Sequence, residues 1–194
     1  MTRIVFIRHG EVHPRWRGHC YGDADLGLGS RGRAQSRHAA NAIALWIRDQ
    51  ADDVPLLSSD LRRTRYLAGL LEKITGLRAT LDPALRERNF GAWEKKSWDA
   101  IYAETGDAMD GMIAEPATWS PPGGETTFAM RDRVLRALDG HLRHRPAAAV
   151  VVGHGGPIAA VRGTAAGAPV PQWPDLVPGH GEWLPHEWSP QTER

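Results

Sequence analysis

Three short apolar runs in this sequence each lead into residues that could bind an anion. The first run is followed directly by Arg8 and His9, the second leads into Arg63, and the third ends at His154 and Gly155. Guanidinium groups match phosphate oxygens in bidentate geometry, and neutral imidazole offers a lone pair near pH 7. If the runs are neighbouring strands, these side chains predict a pocket for a compact, multiply charged anion such as phosphate.

The apolar runs cover residues 4–7, 55–57 and 147–152. They lack polar alternation, which indicates strands covered on both faces. Helical spacing of apolar residues recurs between them, in the ranges 30–49, 60–75 and 126–143 and in a last helix from 157 to 167. This alternation predicts an α/β fold, a three-layer sandwich whose mostly parallel central sheet has helices on both faces. Ligands of such sheets bind beyond the carboxyl ends of the strands.

Two histidines in one phosphate pocket indicate covalent catalysis. One imidazole can attack phosphorus as a nucleophile. The second can donate to phosphoryl oxygens that gain charge in the transition state. For either histidine taken alone, the alternative is a structural residue that caps a strand end.

Five motifs occur in one order: RHGE (8–11), SSDLRRTRYLA (58–68), LRERNFGAWE (85–94), PPGGET (121–126) and VVGHGGPI (151–158). Together they resemble the histidine phosphatase superfamily, which has the phosphoglycerate mutase-like fold, over roughly residues 3–165. The resemblance implies a phosphohistidine on His9 and a general acid and base at Glu87. It also implies that Arg8, Arg63 and His154 clamp the phosphoryl group, with Gly155 beside them.

Substrate specificity in the family varies most in the cap and in residues 11–28, where Arg15, His19 and Tyr21 are the candidates for substrate binding. The stretch GHCYGDADLGL (18–28) resembles α-ribazole phosphatase and related broad-specificity phosphatases. This likeness suggests a nucleotide-like or sugar-phosphate substrate.

Some positions depart from the family pattern. Val12 and Arg15 stand where the family often has Thr and Asn, Leu67 replaces a frequent Thr, and Lys95 replaces the Gly that usually follows the FGxWE motif. Because the implied catalytic set is intact, these changes are expected to affect substrate choice and local packing.

Several other residues are given structural interpretations. Phe90 and Trp93 are expected to shield the Glu87 carboxyl and raise its pKa. Arg62 is expected to face solvent. His180 and His186 are interpreted as tail residues, because no zinc-ligand spacing accompanies them.

The segment GLGSRG (27–32) matches a dinucleotide-binding pattern, but no apolar strand precedes it. Its glycines are therefore interpreted as turn residues before a helix.

The sequence predicts one domain over residues 1–167, with a cap or lid inserted at about 84–125. Residues 168–194 contain six prolines and three tryptophans. This Pro/Trp-rich tail is expected to pack on the domain with mostly irregular structure and a short edge strand near 181–184.

The composition narrows the function further. The chain of 194 residues has 24 basic and 23 acidic residues and one cysteine. A net charge of +1 gives no case for nucleic-acid or membrane binding, and a lone cysteine fits a reducing compartment. We expect a cytoplasmic protein with no cofactor and no metal, whose partner is a small-molecule phosphate ester. The oligomeric state, monomer or homodimer, stays open.

The sequence therefore predicts a phosphoric monoester hydrolase that acts without a metal through a phosphohistidine. A phosphoglycerate mutase-type phosphoryl transfer is the nearest alternative, although FGAWE resembles the phosphatase branch more. A non-enzymatic protein that binds phosphorylated ligands is the alternative from another class. It is disfavoured because His9 and Glu87 are both present.

Overall fold

The computed structural model describes residues 1–50 and 53–189. Its strands are β1 (Thr2–Arg8), β2 (Leu56–Ser58), β3 (Ala79–Leu81), β4 (Ala148–Gly153) and β5 (Trp183–Trp188). They form one sheet in the order β3-β2-β4-β1-β5. The first four strands run parallel, and β5 is antiparallel to β1. The predicted mostly parallel α/β sheet is confirmed.

Six α-helices accompany the strands in the described part of the chain: α1 (Ser30–Arg48), α2 (Arg62–Thr75), α3 (Trp98–Thr105), α4 (Gly111–Ala114), α5 (Thr127–His141) and α6 (Gly155–Ala165). Short 3-10 helices lie at Pro14–Trp16, Pro83–Leu85, Gly91–Trp93, Gly106–Asp110 and Val170–Leu176. Gly76 ends α2 in the left-handed conformation, as the sequence predicts. None of the described helices has the length and apolarity needed to cross a membrane.

Helices cover both faces of the sheet because consecutive side chains of a strand point in opposite directions. In β1, Val5 and Ile7 pack into a buried cluster with α1 and α2. Ile4 and Phe6 pack into a second cluster with α5 and α6. All six residues of β4 are buried, which explains why this strand reads as a continuous apolar run.

The two edge strands differ from the sequence predictions. β3 was not predicted, because its three residues are only partly buried or exposed and form no apolar run. β5 lies later and is longer than the predicted strand near 181–184. Its antiparallel pairing with β1, from Thr2 opposite Trp188 to Ile7 opposite Trp183, makes the segment after residue 168 part of the central sheet. Residues 190–194 of the predicted tail lie outside the described residues.

A small apolar cluster joins the region between β3 and α5 to the loop that follows β1. Cys20, Trp93 and Ile101 are its buried members, and Trp119 packs against them. Burial raises the pKa of the Cys20 thiol to about 12, so this cysteine is a packed, protonated residue. Lys95, which replaces the family's glycine, has a φ of 70°, a conformation that favours glycine.

The start of α1 is packed directly on the loop that follows β1. A Cβ atom on Gly32 would lie 1.9 Å from the carbonyl oxygen of Glu11, and one on Gly10 would lie 2.1 Å from the carbonyl oxygen of Gly32. Gly29 precedes the helix, as expected for a turn residue, whereas Gly32 lies inside it. The interpretation of Gly32 as a turn residue is therefore wrong: its role is close packing of helix against loop.

This contact predicts opposite effects for two glycine substitutions in helices. Gly32→Ala should destabilise the protein by about 2 kcal/mol or more, because the methyl group overlaps backbone atoms that cannot move independently. Gly69→Ala in α2 should stabilise it by about 0.5–1 kcal/mol, since that position has open space and alanine favours the helix. Urea unfolding of both variants measures the difference. Equal effects would show that the loop after β1 tolerates a larger residue.

Candidate active site

The carboxyl ends of β1 and β4 lie side by side. Arg8 pairs in register with Gly153, and the His9 N–H donates to the Gly153 carbonyl at 3.1 Å. The next residue of each strand end is a histidine, so the rings of His9 and His154 come together with their centroids 5.1 Å apart. The structure thus brings together the two histidines that the sequence pairs.

His9 is held as a neutral ring with a defined tautomer. The side chain is 2% exposed, and its Nδ1 lies 2.7 Å from the carbonyl oxygen of Gly10. A carbonyl can only accept, so Nδ1 carries the proton and donates it to this bond. Burial, followed by the nearby Arg63, lowers the pKa of His9 well below its usual value. Nε2 therefore keeps its lone pair near pH 7.

His154 has the complementary arrangement. Its Nε2 lies 2.9 Å from the Ser59 hydroxyl, and its Nδ1 has no hydrogen-bond partner among the described residues. Burial and then Arg63 lower the pKa of His154, so this ring is also neutral. If the Ser59 hydroxyl donates to Nε2, the tautomer places the proton on Nδ1, where it can donate to an anion. The sequence interpretation assigned no such role to Ser59.

Arg63 is a fully buried cation beside the two histidines. Its Nη1 donates to the Ala24 carbonyl at 2.6 Å, and its Nη2 donates to the Gly22 carbonyl. These bonds fix the plane of the guanidinium group, while Nε has no partner in the described part of the chain. Arg62 is exposed instead, with its Nε 3.1 Å from an Asp25 carboxylate oxygen. Arg63 is thus the buried arginine and Arg62 the exposed one, as expected from the sequence.

Arg8 is anchored by the chain that precedes β5. Its Nη1 donates to the Pro178 carbonyl at 2.8 Å, and its Nε has no partner among the described residues. A Cβ atom on Gly155 would lie 3.3 Å from the Arg8 guanidinium carbon. Glycine at 155 therefore allows the guanidinium to lie close to the start of α6, where backbone N–H groups favour anions.

Glu87 reaches the same end of α6. One carboxylate oxygen accepts from the Gly156 N–H at 3.1 Å, and the other accepts from the Arg88 N–H at 3.0 Å. On the opposite side, Arg133 donates to the Glu87 carbonyl at 3.2 Å and forms a 2.6 Å ion pair with Glu125. Arg133, which the sequence interpretation did not identify, thus holds the Glu87 backbone in place.

The expected shield of Glu87 is only partly present. Phe90 lines the same cavity as Glu87. Trp93 does not line it and packs in the cap instead, with its ring centroid 5.4 Å from that of Trp119. Trp93 is buried in the cluster against which Phe90 also packs, so of the two aromatic residues only Phe90 reaches the wall of the cavity that Glu87 lines.

A third histidine, His180 of the C-terminal tail, lies at this site, which the sequence interpretation did not predict. Its ring centroid is 5.4 Å from that of His9. The Gly181 N–H donates to the Arg8 carbonyl at 3.1 Å, which folds this segment over the end of β1. Burial, followed by Arg8 and Arg31, lowers the pKa of His180 to about 4. Only the antiparallel pairing of β5 brings it here, and no sequence pattern indicates that pairing.

Two cavities lie at this site, one lined by Glu87 and the other by His180. The apolar cavity, of about 500 Å³, lies between Glu87, Gly156 and the cap. The second cavity, of about 380 Å³, lies beside Glu11 and His180 and is called the His180 cavity. Of the predicted substrate-binding residues, His19 and Tyr21 line both cavities. Arg15 lines neither: it is exposed, with its guanidinium 5.1 Å from the centre of the Trp16 ring.

Comparison with known proteins identifies the family. The model of the histidine phosphatase superfamily (branch 1) matches residues 4–193. The chain belongs to the histidine phosphatase superfamily. Its relatives include the glucosyl-3-phosphoglycerate phosphatase of Mycobacterium tuberculosis, 33% identical over 205 positions that cover 98% of this chain and 88% of the relative. The probable phosphoglycerate mutase GpmB of Erwinia tasmaniensis is 29% identical, covering 87% of this chain and 77% of the relative.

Solved structures agree with this assignment. The native structure of a mycobacterial glucosyl-3-phosphoglycerate phosphatase superposes with a TM-score of 0.82 at 30% identity, covering 95% of this chain and 89% of that one. TTHB049 from Thermus thermophilus gives a TM-score of 0.70 at 31% identity, covering 96% and 94%. The predicted phosphoglycerate mutase-like fold and the predicted class, a phosphoric monoester hydrolase, are confirmed.

The histidine phosphatase should lose stability in mild acid because of its buried neutral histidines. The pKa of His180 falls from its usual 6.5 to about 4 on folding. Below about pH 6.5 the unfolded chain therefore binds a proton that the folded chain does not, and stability is lost as the pH falls toward 4. His9 and His154 act in the same direction.

Urea midpoints at about pH 7.5 and about pH 5 measure this loss. His180→Gln should lose less stability between the two conditions than the wild type. His38→Gln, which removes an exposed histidine of α1, should behave as the wild type does. If His180→Gln kept the full loss, the His180 ring would have to be protonated in the folded protein.

Proposed function

We propose that this histidine phosphatase is a metal-independent phosphomonoesterase that acts on small phosphorylated metabolites through a phosphohistidine at His9. The hydrogen bond from His9 Nδ1 to the Gly10 carbonyl is the observation that carries the proposal. It leaves Nε2 of a buried, neutral ring as the nucleophile, with Arg8, Arg63 and His154 as neighbours. The guanidinium groups supply the positive charge that the phosphoryl group requires.

In the first step, the Nε2 lone pair of His9 attacks phosphorus, and the bond from phosphorus to the leaving oxygen breaks. Glu87, in its protonated form, gives its proton to that oxygen. Arg8, Arg63 and Nδ1–H of His154 bind the phosphoryl oxygens as they gain charge.

In the second step, Glu87 takes a proton from water, and the water oxygen attacks phosphorus. The P–N bond breaks, which releases inorganic phosphate and restores neutral His9. The second step resembles the reverse of the first, with water in place of the alcohol. The same carboxyl group therefore serves as the acid in the first step and as the base in the second.

The substrate is proposed only as a class. The stretch 18–28 supports α-ribazole phosphate or a sugar phosphate, and the relatives named glucosyl-3-phosphoglycerate phosphatase support a phosphorylated sugar derivative. The cap at 84–125 and the segment from residue 168 onward would enclose the leaving group. The cytoplasmic location stays a prediction.

A phosphoglycerate mutase-type transfer is the second candidate, because several relatives are named probable phosphoglycerate mutases. Such an enzyme must keep water away from the phosphohistidine while the substrate turns over. Phosphorus NMR of 3-phosphoglycerate incubated with the protein separates the two activities. Formation of 2-phosphoglycerate without inorganic phosphate would support the mutase.

His9→Ala should abolish hydrolysis without unfolding the protein, because it removes the nucleophile from a loop at a strand end. Labelled substrate followed by a quench should trap phosphate on the wild type that is labile in acid and stable in alkali. The His38→Ala variant should carry as much trapped phosphate as the wild type, since His38 is an exposed residue of α1. An acid-stable phosphoenzyme would point to a hydroxyl nucleophile instead.

Arg63→Ala should reduce phosphate affinity and turnover together, because a clamp contacts the ground state and the transition state. The loss should be on the order of 100-fold or more in kcat/KM, as for other transition-state donors. Arg62→Ala, on the adjacent exposed position, should change kcat/KM much less. Steady-state kinetics of the two variants decide the point, and the reverse ranking would refute the assignment of Arg63.

The effect of Glu87→Gln should depend on the leaving group. An alkoxide is strongly basic and needs a proton as its bond breaks, whereas a nitrophenolate does not. Transfer to His9 should slow by about 10² to 10⁴ for alkyl phosphates and far less for p-nitrophenyl phosphate. Burst kinetics isolate this step, because the later hydrolysis also uses Glu87. Equal slowing of both bursts would remove Glu87 from the acid role.

A further inference from the structure

The apolar cavity beside Glu87 has walls from several parts of the chain, which include His19, Tyr21 and Gly22 of the loop that follows β1. The cap supplies Trp98, Met112 and Ile113, and the C-terminal segment supplies Val170, Trp173 and Val177. Met130 of α5 and Ala159 of α6 lie between them. The volume of about 500 Å³ falls within the range of pockets that bury drug-sized ligands.

Two polar side chains in these walls, Arg88 and Thr127, are already engaged within the protein. Arg88 donates to the Glu125 carbonyl at 3.1 Å and to the Thr127 hydroxyl at 2.9 Å, and Thr127 donates in turn to the Met112 carbonyl at 2.6 Å. The Arg88 guanidinium also lies 5.3 Å from the centre of the Phe90 ring. Apart from Glu87, the remaining polar side chains of the lining are His19 and Tyr21, so a ligand with many hydroxyl groups would lose water here and find few partners in return.

The position of Glu87 places the leaving group in this cavity. Its two carboxylate oxygens accept from the N–H groups of Gly156 and Arg88, and both of these residues line the apolar cavity. A leaving oxygen in contact with the carboxyl group therefore points its substituent toward the apolar walls. The His180 cavity is not lined by Glu87. A small third cavity borders Glu87 where Arg133 and Glu125 pair with each other.

Within the phosphomonoesters of the proposed function, we propose that the preferred substrates have an apolar leaving group, an alkyl or aryl alcohol of about six carbons or more, in place of the sugar that the relatives suggest. This inference rests on the proposed function, because it takes Glu87 as the group that protonates the leaving oxygen. The apolar leaving group is bound by burial against the cap and the C-terminal segment, while the cationic end of the site binds the phosphoryl group.

Two primary alkyl phosphates test the inference, because their leaving alcohols are almost equally basic and differ in length. Each methylene group that leaves water is worth about fourfold in binding at most. The kcat/KM of n-hexyl phosphate should therefore exceed that of ethyl phosphate by about 10- to 100-fold. It should also exceed that of glycerol 3-phosphate and 3-phosphoglycerate, whose leaving groups are polar.

A pair of isoleucine variants links the preference to the cavity. Ile113→Asn places an amide in the wall of the apolar cavity, and it should reduce the hexyl-to-ethyl ratio by about fivefold or more. Ile74→Asn changes an isoleucine of similar exposure on α2, outside the cavities described, and should leave the ratio unchanged. Val170→Thr, which preserves side-chain shape, gives a second reduction if Ile113→Asn folds poorly.

The possible results separate the inference from the proposed function. If every ester releases phosphate but hexyl and ethyl phosphate have equal kcat/KM, the inference of an apolar leaving group is wrong and the proposed phosphatase activity stands. A preference for 3-phosphoglycerate over n-hexyl phosphate has the same consequence. No phosphate from any ester, p-nitrophenyl phosphate included, overturns both. Calorimetric titration with n-hexylphosphonate and ethylphosphonate checks the ligand preference without turnover, and equal affinities also count against it.

Discussion

The parallel pairing of β1 with β4 is the constraint on which the site depends. Because Arg8 lies opposite Gly153, the residue that follows each strand is a histidine, and the two rings meet. Side chains alternate between the faces of a strand, so a slip of one residue would exchange the two buried clusters of the core. The same apolar packing that fixes the register therefore fixes the distance between His9 and His154.

Charge and burial act together on these histidines. Removal from water and the nearby guanidinium of Arg63 both disfavour imidazolium, which keeps each ring neutral. A neutral ring is what a nucleophile and a hydrogen-bond donor of fixed tautomer require. The cost of burying the Arg63 cation is offset by the backbone carbonyls that it binds and by the anion that the site is proposed to hold. One arrangement of groups thus attracts phosphate and keeps the nucleophile unprotonated.

The parts of the site that the sequence predicts are those built by local order along the chain. His9, Arg63 and His154 follow strands whose apolar runs are continuous because both faces are covered, so position in the sequence gives position in the sheet. The place of His180 could not be predicted in this way. It precedes β5, an edge strand that is half exposed and therefore has only a weak sequence pattern. The exposed position of Arg15 was missed for a related reason: nothing in the sequence shows which residues of an irregular loop turn inward.

The structure also separates recognition of phosphate from recognition of the leaving group. The first rests on strand ends and the start of α6, which the core holds rigidly. The second rests on the cap and the segment before β5, which contact the core through smaller apolar clusters. Binding energy from a remote part of a substrate can be used to position the reacting atoms. Walls that hold the leaving group against Glu87 would therefore raise the rate of phosphoryl transfer as well as affinity, and substitutions in them would change specificity without altering the phosphate site.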